Sequence, residues 1–343
     1  MEHHDFFGRL SSMKVIQVGL GDFGWLWFKD VLMACEEVTV IGLVDRNPNQ
    51  LARALETGLI PEYKLFPQLV EALQKEKPDF ILNTTPPSAH KEVNELALHY
   101  GIPVLCEKPI SDSYDEAFMT YQAVRESNVP FMIAENFRFK PPFREMKKWL
   151  NEDAIGKLSR IDVSFFKKHQ KFNYHQYLKH PLLLDVTIHH LDMMRYLLGC
   201  EAEAIFAHSW TPRSSNYRER SNANLLIEWE NGVHASYRGS LDAGGEYTDW
   251  NGTWRIEGDG GLLIYDQGQV LLNGRMFDFS RTEADVSISL KAVLREFINS
   301  LSQGRPGETD MSDNWHTFSM TYAAIQSIET NSRIQLPTDY VRP

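Results

Sequence analysis

Gly19-Leu20-Gly21-Asp22-Phe23-Gly24 follows directly on the apolar run Val15-Ile16-Gln17-Val18. A G-x-G-x-x-G placed between a strand and a helix confines the chain to few architectures. The first glycine permits a tight turn, the second lets backbone approach a pyrophosphate, and the third lets helix pack on strand. A helix opened in this way presents unpaired N–H groups to an anion. Three glycines in six residues also make ordinary turns, so the context has to decide. Asp45 ends the next apolar run, Val38–Val44, 21 residues after Gly24. That is the spacing expected of a carboxylate accepting hydrogen bonds from a ribose. The reading is a dinucleotide-binding unit, with NAD favoured because Asp45 repels the 2′-phosphate of NADP. Arg46 admits three roles: stacking on adenine, salvaging a 2′-phosphate so that NADP stays possible, or standing as a solvated loop charge.

Further apolar runs repeat the pattern at Asp79–Asn83, Pro103–Cys106 and Pro130–Ala134. Each suits a strand buried on both faces. The stretches between them are of helical length. Pro67 reads as a first helical residue and Pro78 as a stop, Ser113 and Glu116 have capping-box spacing, and Gly101 suits the position just past a helix end. Repeated βα units predict a doubly wound parallel sheet, an α/β Rossmann domain over 13–135. The first residues carry neither a basic nor an apolar leader pattern, and residues 1–12 are expected to be a disordered extension before a first strand at Met13.

The chain has 343 residues, and at about 150 per domain two domains are expected. With 35 Lys+Arg against 46 Asp+Glu the net charge is −11. This argues against nucleic acid and anionic membranes as main partners, both of which need a basic surface. No apolar run approaches the roughly 18 residues of a spanning helix. Cys35, Cys106 and Cys200 are too few and too scattered for a disulfide framework or a zinc site, so a cytoplasmic location is expected.

Two stretches lie just past strands of the sheet, where ligands bind in open α/β folds. In the first, Asn83-Thr84-Thr85-Pro86-Pro87-Ser88-Ala89-His90, His90 is either a ligand contact or a structural histidine. In the second, Cys106-Glu107-Lys108-Pro109, Lys108 either donates to a substrate oxygen or is a surface lysine.

Beyond Glu135 the strand-like segments lengthen: Ser159–Lys167, Ala204–Thr211, Ala223–Glu230, Val233–Leu241, Thr253–Glu257 and Leu262–Tyr265. Asn231-Gly232 signals a hairpin, so part of this sheet is antiparallel. Gly258-Asp259-Gly260-Gly261 joins strand to strand and reads as a turn. A helix is predicted over Asp185–Leu198, closed by Gly199. At about 100° per residue, Asp185, His189, Asp192 and Tyr196 share one stripe of an otherwise apolar helix. Asp185 at the helix start is placed to hold His189, one turn on, in a chosen tautomer. The bland alternative is a capping aspartate and a satisfied core histidine. His190 points about 100° away and is expected to pack. The string 167–175 is basic and aromatic, and it rims the substrate pocket, gathers acidic substrates or is a solvated loop. No histidine or carboxylate spacing matches a metal site, so no metal is expected.

Together, Gly19-x-Gly21-x-x-Gly24, Thr85-Pro86-Pro87-x-x-His90, Glu107-Lys108-Pro109, Asn136-Phe137-Arg138-Phe139-x-Pro141 and Leu184-Asp185-Val186-Thr187-Ile188-His189-His190 resemble the Gfo/Idh/MocA oxidoreductases, the glucose–fructose oxidoreductase and inositol dehydrogenase family. The likeness extends to the helical region Val293 to Pro337. It implies an α+β second domain over 136–343 with a large, open, mainly antiparallel sheet. It also implies hydride transfer between NAD(P) and a hydroxyl carbon of a sugar, sugar acid or cyclic polyol. By the resemblance, Lys108, Asp185 and His189 act on the substrate and Arg138 is a further substrate contact. Expected cofactor contacts are Gly19, Gly21, Asp22, Phe23, Gly24, Asp45, Arg46, Thr85, Pro86, His90, Glu107 and Lys108. One departure concerns the substrate: Lys179-His180-Pro181-Leu182-Leu183-Leu184 stands where relatives commonly carry glycines. Two other readings remain open here: an NAD-binding regulator without turnover, and net non-redox lyase or glycosidase chemistry on tightly held NAD. A homodimer or homotetramer is expected, because open antiparallel sheets need cover.

Overall fold

The computed structural model describes residues 12–169 and 178–336. The expectations for residues 1–11 and for Gln170–His175 lie outside the described residues.

The first sheet contains six parallel strands: β1 (Met13–Val18), β2 (Val38–Val44), β3 (Leu65–Phe66), β4 (Phe80–Asn83), β5 (Val104–Cys106) and β6 (Phe131–Ile133). Their order is β3-β2-β1-β4-β5-β6, so the winding reverses between β1 and β4 and leaves a crevice at their C-terminal ends. Val15, Ile16, Ile81 and Leu82 are fully buried because helices cover both faces. The crossovers carry α1 (Asp22–Leu26), α2 (Pro48–Glu56), α3 (Leu69–Lys75), α4 (Pro87–His99) and α5 (Tyr114–Ser127). α1 runs on as a π-helical segment, Trp27–Leu32.

Local signals were met with small shifts. Gly101 has φ +68° just past α4, as its position required. α3 starts at Leu69 behind Gln68, so Pro67 precedes the helix rather than opening it. Ser113 is the N-terminal cap of α5 but its side chain makes no capping bond. Ser111 takes over instead, accepting from Ser113 N at 3.2 Å and bonding Glu116 Oε2 at 3.1 Å.

The second sheet has nine strands in the order β14-β13-β12-β11-β7-β10-β9-β8-β15. They are β7 (Leu158–Phe166), β8 (Ala202–Trp210), β9 (Asn222–Trp229), β10 (His234–Ser240), β11 (Thr253–Gly258), β12 (Gly261–Asp266), β13 (Gln269–Leu272), β14 (Arg275–Asp278) and β15 (Ile334–Gln335). All pairs are antiparallel except β7 with β10. Asn231-Gly232 turns β9 into β10, and Asp259-Gly260 joins β11 to β12, as the sequence predicted.

One face of this sheet packs on α6 (Pro141–Asn151), α7 (Ile188–Leu198) and α10 (Met311–Thr330). A short α8 (Ser280–Glu283) leads into α9 (Val286–Gln303), which returns to the first sheet. There Leu290, Val293, Leu294 and Phe297 share a core with Val15, Phe80, Leu82 and Leu105. α10 reaches the opposite side, where Trp315 and Phe318 pack with Tyr114 and Tyr121 of α5. Thr309 and Asp310 pair with the outer edge of β6, covering its free hydrogen-bonding groups. Among the described residues no helix is long and apolar enough to cross a membrane.

Candidate functional site

A cleft of about 1180 Å³ opens at the C-terminal ends of β1 and β4 and continues along the second domain. Gly19, Gly21, Asp22, Phe23, Gly24, Asp45, Arg46, Thr85, Pro86, Glu107 and Lys108 line it from one side. Asp185, His189, Lys140, Trp250 and Glu283 line it from the other.

The glycine turn is closed where it touches protein and open where it meets the cleft. At Gly19, with φ +96°, an added Cβ would lie 2.7 Å from the Thr84 backbone, and at Gly24 it would lie 2.3 Å from the Gly19 carbonyl. At Gly21 it would meet nothing within 4 Å, so backbone is bare to the cleft at the start of α1, which no side chain caps. The buried Gln17 amide fixes this shape, donating to Gly19 O at 3.0 Å and Gly24 O at 2.6 Å. Asp45 braces it from β2, accepting from Leu20 N at 2.7 Å and Asn47 N at 2.8 Å. Bare N-terminal backbone beside a carboxylate fits a dinucleotide: N–H groups for the pyrophosphate and Asp45 for the ribose. Arg46 is paired with Glu92 at the same rim.

Two expected contacts take other places. His90 is fully buried and does not line the cleft. Its ring nitrogens lie 2.9 Å from Pro109 O and 2.8 Å from Thr85 O, so it clips the loop after β4 to the turn that carries Lys108. Arg138 is a structural cation rather than a substrate contact, with a side chain only 4% exposed. It donates to both carboxylate oxygens of Asp192, at 2.7 and 2.5 Å, and lies 2.9 Å from Asp313. A buried guanidinium needs this much compensation, and the pairing holds it charged.

The histidine is held differently from the sequence expectation. The helix does not start at Asp185: a π-helical turn over Leu183–Thr187 runs into α7, and Gly199 closes α7 in the left-handed conformation as expected. Asp185 turns to Lys108, whose Nζ donates to Oδ1 at 3.1 Å and to the Asp185 carbonyl at 2.7 Å. His189 Nδ1 instead meets the carboxylate of Glu135, at the end of β6. Phe137 stacks on the imidazole at 3.9 Å with planes 3° apart. His190 is buried as expected, between Tyr237 OH at 3.2 Å and the Trp250 carbonyl at 3.0 Å.

Burial dominates the electrostatics. It pushes His189 well below the usual imidazole range, aided by the Lys108 charge, and lifts the Glu135 carboxyl to about 7 against the pull of Lys108 and Arg138. Glu107 also rises to about 7 through burial, although the Trp27 indole donates to it at 2.6 Å. On the far wall Lys140 donates to Asn251 Oδ1 at 2.6 Å and lies 3.3 Å from Glu283 Oε2. Burial lowers its pKa. Among the described residues no group of three or more His, Cys, Asp or Glu is arranged to hold a metal ion.

Glu135, Lys140, Trp250 and Glu283 were not singled out as site residues from sequence. Glu135 stood there only as the boundary between the two halves. It is 54 residues from His189, and no periodicity joins them.

Comparison with known proteins shows the family. The profile of the oxidoreductase family with an NAD-binding Rossmann fold, GFO/IDH/MocA, matches residues 13–135, and that of the GFO/IDH/MocA C-terminal domain matches 143–264. The protein y4oX of Sinorhizobium fredii is 26% identical over 95% of this chain and 96% of its own length. D-apiose dehydrogenase of Rhizobium rhizogenes is 25% identical over 75% of this chain and 79% of its own. An Agrobacterium radiobacter oxidoreductase, solved with NAD+, L-tartaric acid and magnesium, superposes with a TM-score of 0.85 at 22% identity, covering 95% of this chain and 98% of that one. The cleft between a glycine turn and paired lysine on one side and a carboxylate-bound histidine on the other thus belongs to an NAD-binding oxidoreductase of the Gfo/Idh/MocA family.

Proposed function

We propose that the chain is an NAD-dependent dehydrogenase that oxidises a CH–OH carbon of a sugar, sugar acid or cyclic polyol. The observation that carries this reading is the convergence of Lys108 and His189 on one cleft with the glycine turn. The relative named for D-apiose supports a sugar-like substrate.

Gly19 to Gly24 would hold the pyrophosphate and Asp45 the ribose. The nicotinamide supplies the hydride acceptor when bound. His189 takes the proton of the substrate hydroxyl. Lys108, anchored twice by Asp185, donates a hydrogen bond to the same oxygen and stabilises the charge that develops there. Lys140 and Glu283 offer hydrogen bonds to other hydroxyls of the substrate. Asp45 disfavours a 2′-phosphate, and Arg46, drawn to Glu92, is poorly placed to rescue one, so NAD is preferred over NADP.

The test is a panel of sugars, sugar acids and inositols with each cofactor, followed by NAD(P)H absorbance. Turnover with NAD on at least one polyhydroxylated compound is expected, and none across the panel would overturn the reading. A second copy is expected on the outer face of the nine-stranded sheet, where Phe206 pairs with Leu226 and Trp210 stands exposed on the same side. Light scattering should then give a dimer or tetramer.

A further inference from the structure

His189 is gripped twice by one short segment. Glu135, fully buried, bonds the ring at Nδ1, and Phe137, two residues on, lies flat against its face. Edge and face contacts together leave the ring one orientation, with Nδ1 turned to protein. No described residue hydrogen-bonds Nε2, and the residue lines the cleft. Asp185, the neighbour expected to orient the ring, is engaged by Lys108.

We propose, on the dehydrogenase reading above, that Glu135 is the positioning residue of His189: it fixes the Nδ1–H tautomer, so that Nε2 presents its lone pair to the substrate hydroxyl, and it receives the Nδ1 proton as the hydroxyl proton arrives. The bookkeeping of atoms closes within the pair. The O–H bond breaks and its proton joins Nε2. The Nδ1–H proton passes to Glu135 Oε1, and the hydride lost from carbon is taken up by the oxidised nicotinamide dinucleotide.

Charge explains why a carboxylate is needed. Lys108 and Lys140 face His189 and oppose a positive imidazole, while Asp185 and Asp192 favour one. The neighbouring His190 is neutral, since burial holds it down to about 3. Lys108, Arg138 and Asn314 favour an ionised Glu135, while burial and Asp313 oppose it. Glu107 is a further carboxylate in range, and it and Glu135 oppose each other's ionisation. With Glu135 ionised, the pair moves from one negative charge to none when it takes a proton. Without Glu135, the same proton would create a cation beside two lysines in a site of low polarity.

The experiment is nitrogen-detected NMR of the histidine ring in the NAD-loaded protein, assigned with H189N, on the wild type, E135Q and E135D. The wild type is expected to hold the Nδ1–H tautomer above about pH 7, where the Glu135 carboxyl is ionised. E135Q, whose amide can donate to Nδ1, should shift the ring towards Nε2–H, and E135D should restore Nδ1–H. In turnover, E135Q should lose about 10²-fold or more in kcat with a smaller change in KM, its acid limb should move, and E135D should recover part of the rate. An Nε2–H ring in the resting wild type overturns the proposal and needs no variant to fold. So does an E135Q protein with the wild-type tautomer and pH profile. The two readings separate cleanly: a tautomer change in E135Q without any wild-type turnover sinks the dehydrogenase reading and leaves the positioning role. Turnover with identical ring spectra does the reverse.

Discussion

Lys108 and Asp185 are joined twice, because the lysine Nζ donates to the aspartate side chain at 3.1 Å and to its main-chain carbonyl at 2.7 Å. The carbonyl bond fixes where the ammonium stands even when the carboxylate moves. K108M should therefore fold and bind NAD with an affinity changed by less than about 1 kcal/mol, while kcat falls by about 10²–10⁴. Titration of NAD by fluorescence and steady-state turnover check the two halves separately. D185N, which keeps the main-chain anchor, should be milder than K108M.

Glycine substitutions should separate binding from folding. Gly21→Ala meets open space, so stability should stay within about 0.5 kcal/mol of wild type. The new methyl would stand where the cofactor comes closest, and the Kd for NAD should rise about tenfold or more, roughly 1.4 kcal/mol. Gly24→Ala would drive Cβ into the Gly19 carbonyl and should lower the melting temperature before any ligand is added.

Arg138 and Asp192 make a stability prediction. Both are buried and bonded at two points. R138M leaves a buried carboxylate short of its main partner and should cost about 3–5 kcal/mol in urea unfolding, whereas R138M/D192L should regain most of it. Equal losses in the single and double variants would count against the pairing as the cause.

A pH effect follows from Glu107. Its carboxyl rises to about 7 in the folded protein through burial, above its unfolded value near 4.5. The folded state then binds more protons than the unfolded one between these values. The contribution to stability is fully present below about 4.5 and is lost as pH rises through about 7. E107Q cannot titrate, so its stability relative to wild type should improve by roughly 2–3 kcal/mol from pH 4.5 to above 7. Denaturant midpoints measured across that window decide it.

Much of the first domain was legible because strands buried on both faces must be apolar throughout, and Val38–Val44 was read to the residue. β3, of two residues, and the short outer strands β13 and β14 gave no run long enough to stand out. Lys108, Asp185 and His189 were found through motifs, and they do share one cleft. The bonds between them were less legible, because helix periodicity reports which residues share a face and not which neighbour across the fold takes the hydrogen bond. The stripe that joined Asp185 to His189 assumed a regular helix, and the π-helical turn through Asp185 breaks that assumption. Asp192, on the same stripe, belongs to Arg138.

The return of α9 to the first sheet bears on synthesis. Leu290, Val293, Leu294, Phe297 and Ile298 of α9 complete a core whose other buried members lie before residue 140. On the ribosome, the nucleotide-binding half must therefore wait with one apolar face uncovered until nearly the whole polypeptide has emerged. A chain cut at residue 135 would keep the glycine turn and lose the helix that covers that face, so the fragment should be prone to aggregate.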